Sequence, residues 1–387
     1  MLIFLRKYSN SLFVVMVLLS YHGNVFADID CRIDPSRPAL TNTVTLNGSY
    51  YIGREIPVGT VIYKVQVVEP AATGIYCDAP FSVPRMLTVN SEPSGGPFSA
   101  ASPFSGQIYP TNVPGIGVSL SWGNVTFTKN TPLNAGSIQY HLDVPGYYGF
   151  KGVFELSLIK TGDVTPGEMV NGISIPSVIV YAGNTTSYSG IPGYTGLPLT
   201  VDTFNFNGNI TFTGGTCQTP SYTVEMGSYD IKRYFTQPGS TTPWVDASIK
   251  LTNCPTFTGY HSNDSGNNQQ VTGTGIPGGT TVKNNSISVS ITPGTPFLDV
   301  SNGIFALQNS DSAASGIGFQ LGYSDISDGS AIPPTDIWTN NARWSVDIPV
   351  SLSGNLNIPL AVRYYQTEDS VTPGVANSFV TYTLDYF

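Results

Sequence analysis

The sequence is poor in charge, in histidine and in long apolar runs. Lys, Arg, Asp and Glu together make up 11% of 387 residues, too few to clothe the solvent faces of helices, and no ten-residue stretch reads as one. Acidic side chains outnumber basic ones 25 to 16. No basic stripe is therefore available to neutralise phosphates, which excludes nucleic acid as a partner. Three histidines and four cysteines without a C-x-x-C spacing do not supply a zinc site, so neither a metal nor a cofactor is expected. No apolar run reaches the roughly 18 residues needed to span a bilayer as a helix.

Glycine (41), proline (29), tyrosine (22) and phenylalanine (19) are abundant instead. At 40% hydrophobic residues there is enough apolar surface for a core, so wholesale disorder is excluded, and the length suggests two domains. Arg6 and Lys7, the apolar run at residues 12–19 and the small residues of Val25-Phe26-Ala27 form a secretory signal, expected to be cleaved before Asp28. Its removal takes away two positive charges and no negative ones, leaving 25 acidic against 14 basic groups, net −11.

All four cysteines, Cys31, Cys77, Cys217 and Cys254, lie in the exported part, where an even count reads as disulfides. Nearest-neighbour pairing, Cys31–Cys77 and Cys217–Cys254, places one bridge in each half and suits two independently closed domains. Short strand-like runs bounded by Gly, Pro, Asn and Ser recur along the whole chain. We read them at residues 42–46, 60–68, 116–127, 137–143, 152–160, 175–181, 210–212, 221–226, 247–251, 286–291, 316–323, 344–350 and 358–366. Strands at this spacing imply an all-β chain of sandwiches or barrels. The turn-rich stretch near residue 198 divides it into domains at 28–198 and 199–387.

The terminal Phe387 invites comparison with an outer-membrane barrel, but phase excludes it. Positions in step with Phe387 are Asp385, Thr383, Thr381 and Phe379, whereas the opposite phase runs Val380, Tyr382, Leu384, Tyr386. A strand shows one face per phase, so the apolar face ends on the penultimate tyrosine.

Gly374, fourteenth from the end, the alternating series Ala376, Ser378, Val380, Tyr382, Leu384 and the penultimate Tyr386 resemble the C-terminal strand of chaperone–usher fimbrial subunits. Residues 215–220 (GTCQTP) and 248–255 (SIKLTNCP) are similar to the two cysteine regions of pilin domains, and residues 316–321 (GIGFQL) and 360–365 (LAVRYY) to later strands. The resemblance covers about residues 204–387. It implies an immunoglobulin-like sandwich lacking its last strand, whose open groove is filled first by a periplasmic chaperone and then, at the outer-membrane usher, by the adjacent fimbrial subunit. The strand Gly374–Tyr386 is then the chaperone- and subunit-binding strand. Some 175 residues with their own cysteine pair stand where a pilin has a short donor extension, so the arrangement resembles a two-domain tip adhesin. Residues 56–63 (IPVGTVIY) and 154–162 (FELSLIKTG) are similar, more loosely, to stretches of such adhesin domains. The resemblance implies a place at the fimbrial tip on the cell surface.

A lectin-like site on a sandwich uses an aromatic ring against the sugar and polar side chains to its hydroxyls. The clusters that offer this are Asp143 with Tyr147 and Tyr148 in a turn after Pro-Gly, Trp122 with Asn124, and Tyr50, Tyr51 and Arg54. Trp122 lies in a strand-like run, which favours the core, and His141 reads as structural. The receptor stays open between a host glycan, a collagen-like surface protein and an abiotic surface. An enzyme would need two carboxylates across a cleft. Asp143, Glu155, Asp163 and Glu168 are close in sequence, but no nucleophile elbow or metalloprotease motif accompanies them, and no enzyme is expected. A structural subunit with a duplicated pilin fold is the other alternative. Only the second half carries the terminal strand pattern, which favours the adhesin.

Overall fold

A computed structural model describes residues 28–68, 73–100, 107–123, 125–140, 146–150, 153–184, 193–260, 269–272, 283–350 and 352–387. The signal segment, Asn124, His141, Asp143 and His261 lie outside the described residues. The described chain is almost wholly β. In the first half the strands are β1 (Ile29–Ile33), β2 (Leu40–Tyr51), β3 (Val61–Val68), β4 (Thr73–Cys77), β5 (Phe81–Ser91), β6 (Tyr109–Pro110), β7 (Ile116–Trp122), β8 (Val125–Thr126), β9 (Leu133–Tyr140), β10 (Gly146–Phe150), β11 (Val153–Lys160), β12 (Met169–Asn171), β13 (Ser177–Ala182), β14 (Tyr194–Thr195) and β15 (Leu199–Thr213). In the second they are β16 (Val245–Asp246), β17 (Ile249–Cys254), β18 (Gln269–Thr272), β19 (Asn285–Pro293), β20 (Phe297–Asp299), β21 (Ile304–Phe305), β22 (Ile317–Tyr323), β23 (Asp336–Ile337), β24 (Arg343–Ile348), β25 (Gly354–Ile358), β26 (Leu360–Gln366) and β27 (Val380–Tyr386).

Two sheets face each other in the first half. One has the order β18-β3-β11-β7-β6 and the other β12-β15-β13-β5-β9, with β2 also on β15. Phe154 of β11 meets Phe204 of β15 edge-on at 5.2 Å, and this contact closes the core between the sheets. A smaller sheet, β10-β4-β1-β14, sets Cys31 directly opposite Cys77, where they are bonded (S–S 2.05 Å). The second bridge joins Cys217 to Cys254 (2.03 Å). Both pairings are those expected from the spacing.

Three expectations need correction. Strand β15 is longer than expected, since only residues 210–212 were expected as strand. It pairs in parallel with β2 from Asp202↔Leu40 to Thr213↔Tyr51 and antiparallel with β13. Asn207-Gly208 reads locally as a turn, but here Gly208 takes φ +77° inside the strand, where a Cβ would strike the Leu46 carbonyl. The run at 116–127 is not one strand. It breaks at Gly123 (φ +60°) into a tight hairpin of β7 and β8. Residues 221–226 form no strand at all, for a reason given below.

Nor are the two halves independently closed. One continuous core runs through both, and its junction is aromatic. Tyr51 of the first half packs on Phe257 (4.8 Å), which stacks on Tyr386 (6.3 Å, 5° between planes). The Tyr51 N–H donates to Thr258 Oγ1 (2.6 Å), and its hydroxyl donates to the Gly215 carbonyl (2.9 Å). Beside this seat the Lys160 ammonium donates to the carbonyls of Gly53 (3.1 Å), Arg54 (2.9 Å) and Ile56 (2.7 Å) and so fixes the loop that follows β2.

Phe257 is fully buried between the halves. Phe257→Ala is expected to cost about 3–5 kcal/mol and to split the single calorimetric transition of the intact chain into two. A variant that melts in one unshifted transition would show that the seat carries no coupling. Burial also pushes the Tyr50 hydroxyl up to about 12. Burial moves Tyr109 to about 12 as well, against the backbone N–H of Lys129, which lowers it, and with Glu92, which raises it. Unfolded tyrosine ionises near pH 10 (about), so their stabilisation is complete below pH 10 (roughly) and is lost as pH rises toward about 12. Alkaline unfolding is expected in that window, with phenolate absorbance rising together with the loss of structure and not before it.

Candidate functional site: an unpaired groove

The second half contains a row of backbone groups without partners. Residues 221–229 form no strand and are half to fully exposed, and among the described residues none of their backbone N–H or C=O groups is hydrogen-bonded. The sequence alternates there as a strand does, but the ladder partner is missing, which is why the expected strand does not form. Asp230 ends the row by capping one helical turn, Ile231–Tyr234, its side chain accepting from the Arg233 N–H.

Facing this row stands the C-terminal segment. On one side β27 pairs with β19 from Ile287↔Tyr386 to Pro293↔Val380. No described strand lies along its other edge. Upstream, residues 372–379 are tied outward: Thr372 and Ser315 bond each other, Val375 N–H donates to Ser312 (2.7 Å), and Asn377 accepts from Gln308 (2.7 Å). Between the two walls runs a groove of ≈ 1310 Å³, more than the roughly 300–1,000 Å³ of a small-molecule pocket. Its floor is apolar and includes Phe305, Ile317, Phe319, Leu321, Val362 and Tyr364. Ile317, Phe319, Val362 and Tyr364 keep 5–7% exposure, whereas Ile249 and Ile358 of the neighbouring sheet are at 0%. The core of this half is open along the groove.

The walls converge at one end. Tyr382 donates to the Pro220 carbonyl (3.4 Å), and the Cys217 N–H donates to the Tyr386 hydroxyl (3.3 Å). The groove therefore closes at the Cys217–Cys254 bridge and the aromatic seat, and opens toward Asp230 and Gly374. Gly374, Ala376, Ser378, Val380 and Tyr382 line it. Leu384 and Tyr386 instead line a second cavity of ≈ 380 Å³ at the junction, together with Arg54, Lys160 and Asp163.

The sequence candidates in the first half separate. Tyr50 packs edge-on against Tyr63 at 5.2 Å, and Tyr51 is fully buried in the seat, so both are structural and not free for a receptor. Arg54 is exposed. Trp122, expected in the core, is 41% exposed beside Val125 at 49%, because the hairpin carries it past the end of the sheet. Tyr147 and Tyr148, expected in a turn, belong to edge strand β10 opposite Tyr76 and Ile75. Of the carboxylates, Glu155 is buried against Lys64 (3.1 Å), while Asp163 and Glu168 are exposed near the other end of β11. They do not face one another across a cleft. Of the residues singled out in the C-terminal strand, Gly374 to Tyr382 line this groove, and its floor and facing row come from segments that the sequence marked only as strands.

No family model matches the chain, nor does any curated protein. Solved structures do. The CupB6 tip adhesin from Pseudomonas aeruginosa aligns over 93% of this chain and 95% of its own, at 14% identity and TM-score 0.35. The chain is similar to chaperone–usher pilus adhesins and pilins. The receptor-binding domain of the adhesin MrkD1P of Klebsiella pneumoniae aligns over 50% of this chain and 99% of its own (20% identity, TM-score 0.25). The P pilus rod subunit PapA aligns over 45% and 100% (12%, 0.29). At these identities and scores, what the groove does is read from its own geometry.

Gly374 meets the backbone of Ala313 and Ala314 so closely that a Cβ would collide with both. Gly374→Ala is expected to push the wall into the groove and lower the melting temperature of the chain. Unchanged melting of the variant would show that the wall takes up the added methyl without moving.

Proposed function

We propose that the chain is a chaperone–usher fimbrial subunit and acts as a tip adhesin. A periplasmic chaperone lends a strand to its groove, and the N-terminal strand of the adjacent subunit replaces that strand at the outer-membrane usher. The observation that carries this reading is the groove itself: an apolar floor between a row of unpaired backbone and the free edge of β27. Only an extended chain offers both backbone hydrogen bonds at strand spacing and alternate side chains for the floor. About five apolar side chains laid there would contribute on the order of 10 kcal/mol, comparable to the stability of a whole domain, and would cover an edge otherwise prone to aggregation.

In this reading residues 28 to about 213 form the receptor-binding domain, because β15 pairs along its full length with β2. The remainder forms the incomplete, immunoglobulin-like pilin domain. The subunit-binding strand runs from Gly374 to Tyr386. Trp122 and Arg54, with edge strand β10 carrying Tyr147 and Tyr148, are the receptor-facing candidates of the first domain. A catalytic role is disfavoured by the burial of Glu155 in an ion pair.

The full mature chain is expected to gain thermal stability with a donor-strand peptide from a neighbouring subunit. At a hundredfold excess over Kd the gain is about 2.7 kcal/mol, or roughly 5–10 °C for a unit of this size. A peptide with its alternation scrambled should give none. Identical melting with both peptides would reject strand addition. In the full mature chain, Trp122→Ala and Arg54→Ala combined, both at exposed positions, should leave assembly and melting intact and weaken adhesion, and undiminished adhesion would reject this face as the receptor site.

A further inference from the structure

The free edge of β27 leads out of the groove and toward the junction cavity. Ser286 and Phe387 exchange both backbone hydrogen bonds (2.9 and 2.8 Å), and the Gly294 N–H donates to the Phe379 carbonyl (2.9 Å). In an antiparallel pair such hydrogen-bonded positions recur at every second residue, and the register between these points is unbroken. The odd-numbered residues of β27 therefore turn their N–H and C=O groups to β19. Val380, Tyr382, Leu384 and Tyr386 turn theirs to the outer edge, where among the described residues no strand meets them.

The side chains of these four residues lie on the core side, since Leu384 and Tyr386 stand opposite the buried Val289 and Ile287 and directly opposed residues share a face. The contacts of Tyr382 with Pro220 and of Tyr386 with Cys217 are made by side-chain hydroxyls and leave the backbone edge open as far as Leu384. Beyond it the first half closes the way. Gly53 lies so near that a Cβ would stand 3.0 Å from the Tyr386 carbonyl oxygen. On the opposite wall the Tyr51 hydroxyl reaches the Gly215 carbonyl. Residues 51–53 thus form a bar across the end of the groove. Buried Lys160 holds the bar and the loop after it, using all three of its donors on the carbonyls of Gly53, Arg54 and Ile56. Leu384 and the bar both line the ≈ 380 Å³ cavity, with Glu55 and Thr216 among its exposed residues.

We propose that this cavity is the terminal subsite of the groove and receives the end of the strand added along β27. The proposal rests on the strand-addition reading above and deepens it, because it makes the first half part of the acceptor. A strand that continues its ladder past Val380 and Tyr382 to Leu384 delivers its next residues into the cavity. The volume lies at the lower end of the roughly 300–1,000 Å³ of small-ligand pockets, room for the last residues of a chain but not for its continuation. The bar then sets how far a strand can extend. Among strands of equal alternation, the fit of the end decides which is held best.

The test uses the full mature chain and a synthetic peptide of alternating valine and threonine, long enough to run from Gly374 to Tyr386. In the Glu55→Cys variant, a thiol-reactive group on the end of this peptide should label the cysteine at least tenfold faster than the same group at its centre. It should be equally faster than a group on the end of a peptide with its alternation scrambled. Without the cysteine, the full peptide should bind at least tenfold tighter than one shortened by a residue pair. Thr216→Trp, which fills the cavity from an exposed position, should make the two bind alike and leave the affinity of the shorter one unchanged. Labelling that does not distinguish end from centre overturns the subsite, and so does a length preference that survives Thr216→Trp. If the peptide raises the melting temperature without either effect, strand addition stands and the subsite is rejected. If it neither binds nor shifts melting, both readings fail.

Discussion

Backbone that borders an apolar floor calls for hydrogen-bond partners, and among the described residues the segment 221–229 and the outer edge of β27 have none. The rest of the second half is arranged around that deficit. The floor between them is apolar. The wall at residues 372–379 is held from behind by residues 308–315, and from the floor Tyr364 donates to the Ala376 carbonyl (3.2 Å). Among the described residues the two walls meet at the Pro220–Tyr382 and Cys217–Tyr386 contacts. Water can satisfy the exposed backbone groups, but not the apolar floor, and this is the physical reason a strand and not a small ligand fits the groove.

The same strand has two jobs at its two ends. Val380 and Tyr382 line the groove, whereas Tyr386 stacks on Phe257, which packs on Tyr51 of the first half. The seat is rigid for chemical reasons. Three rings exclude water, two hydrogen bonds tie Tyr51 across the boundary, and Lys160 gathers three carbonyls of the adjoining loop. The first half is therefore not hung on a flexible linker.

Local pattern made most strands legible, because alternation and turn residues are local. The disulfide pairing and the phase of β27 were legible for the same reason. Non-local pairing was not. Asn207-Gly208 mimics a turn, and only its parallel partner β2 shows it to be strand interior. Residues 221–226 alternate correctly and still form no strand, since a ladder needs a second chain segment. Tyr50 and Tyr51 looked like a receptor cluster because aromatic residues serve surfaces and cores alike. Trp122 looked like core because nothing in its run shows that Gly123 turns the chain one residue later.

The charge balance constrains how such a chain can recognise anything. With net charge −9 and few charges of either sign, it has no field to steer it toward an anionic surface. Repulsion is screened beyond about 8 Å at physiological salt, so contact must be won at short range, by stacking and hydrogen bonds. Strand β11 carries seven residue steps from Val153 to Lys160, about 23 Å at strand rise. Lys160 lies at the junction, which places Gln66 and Trp122 at the end of the sheet remote from the groove.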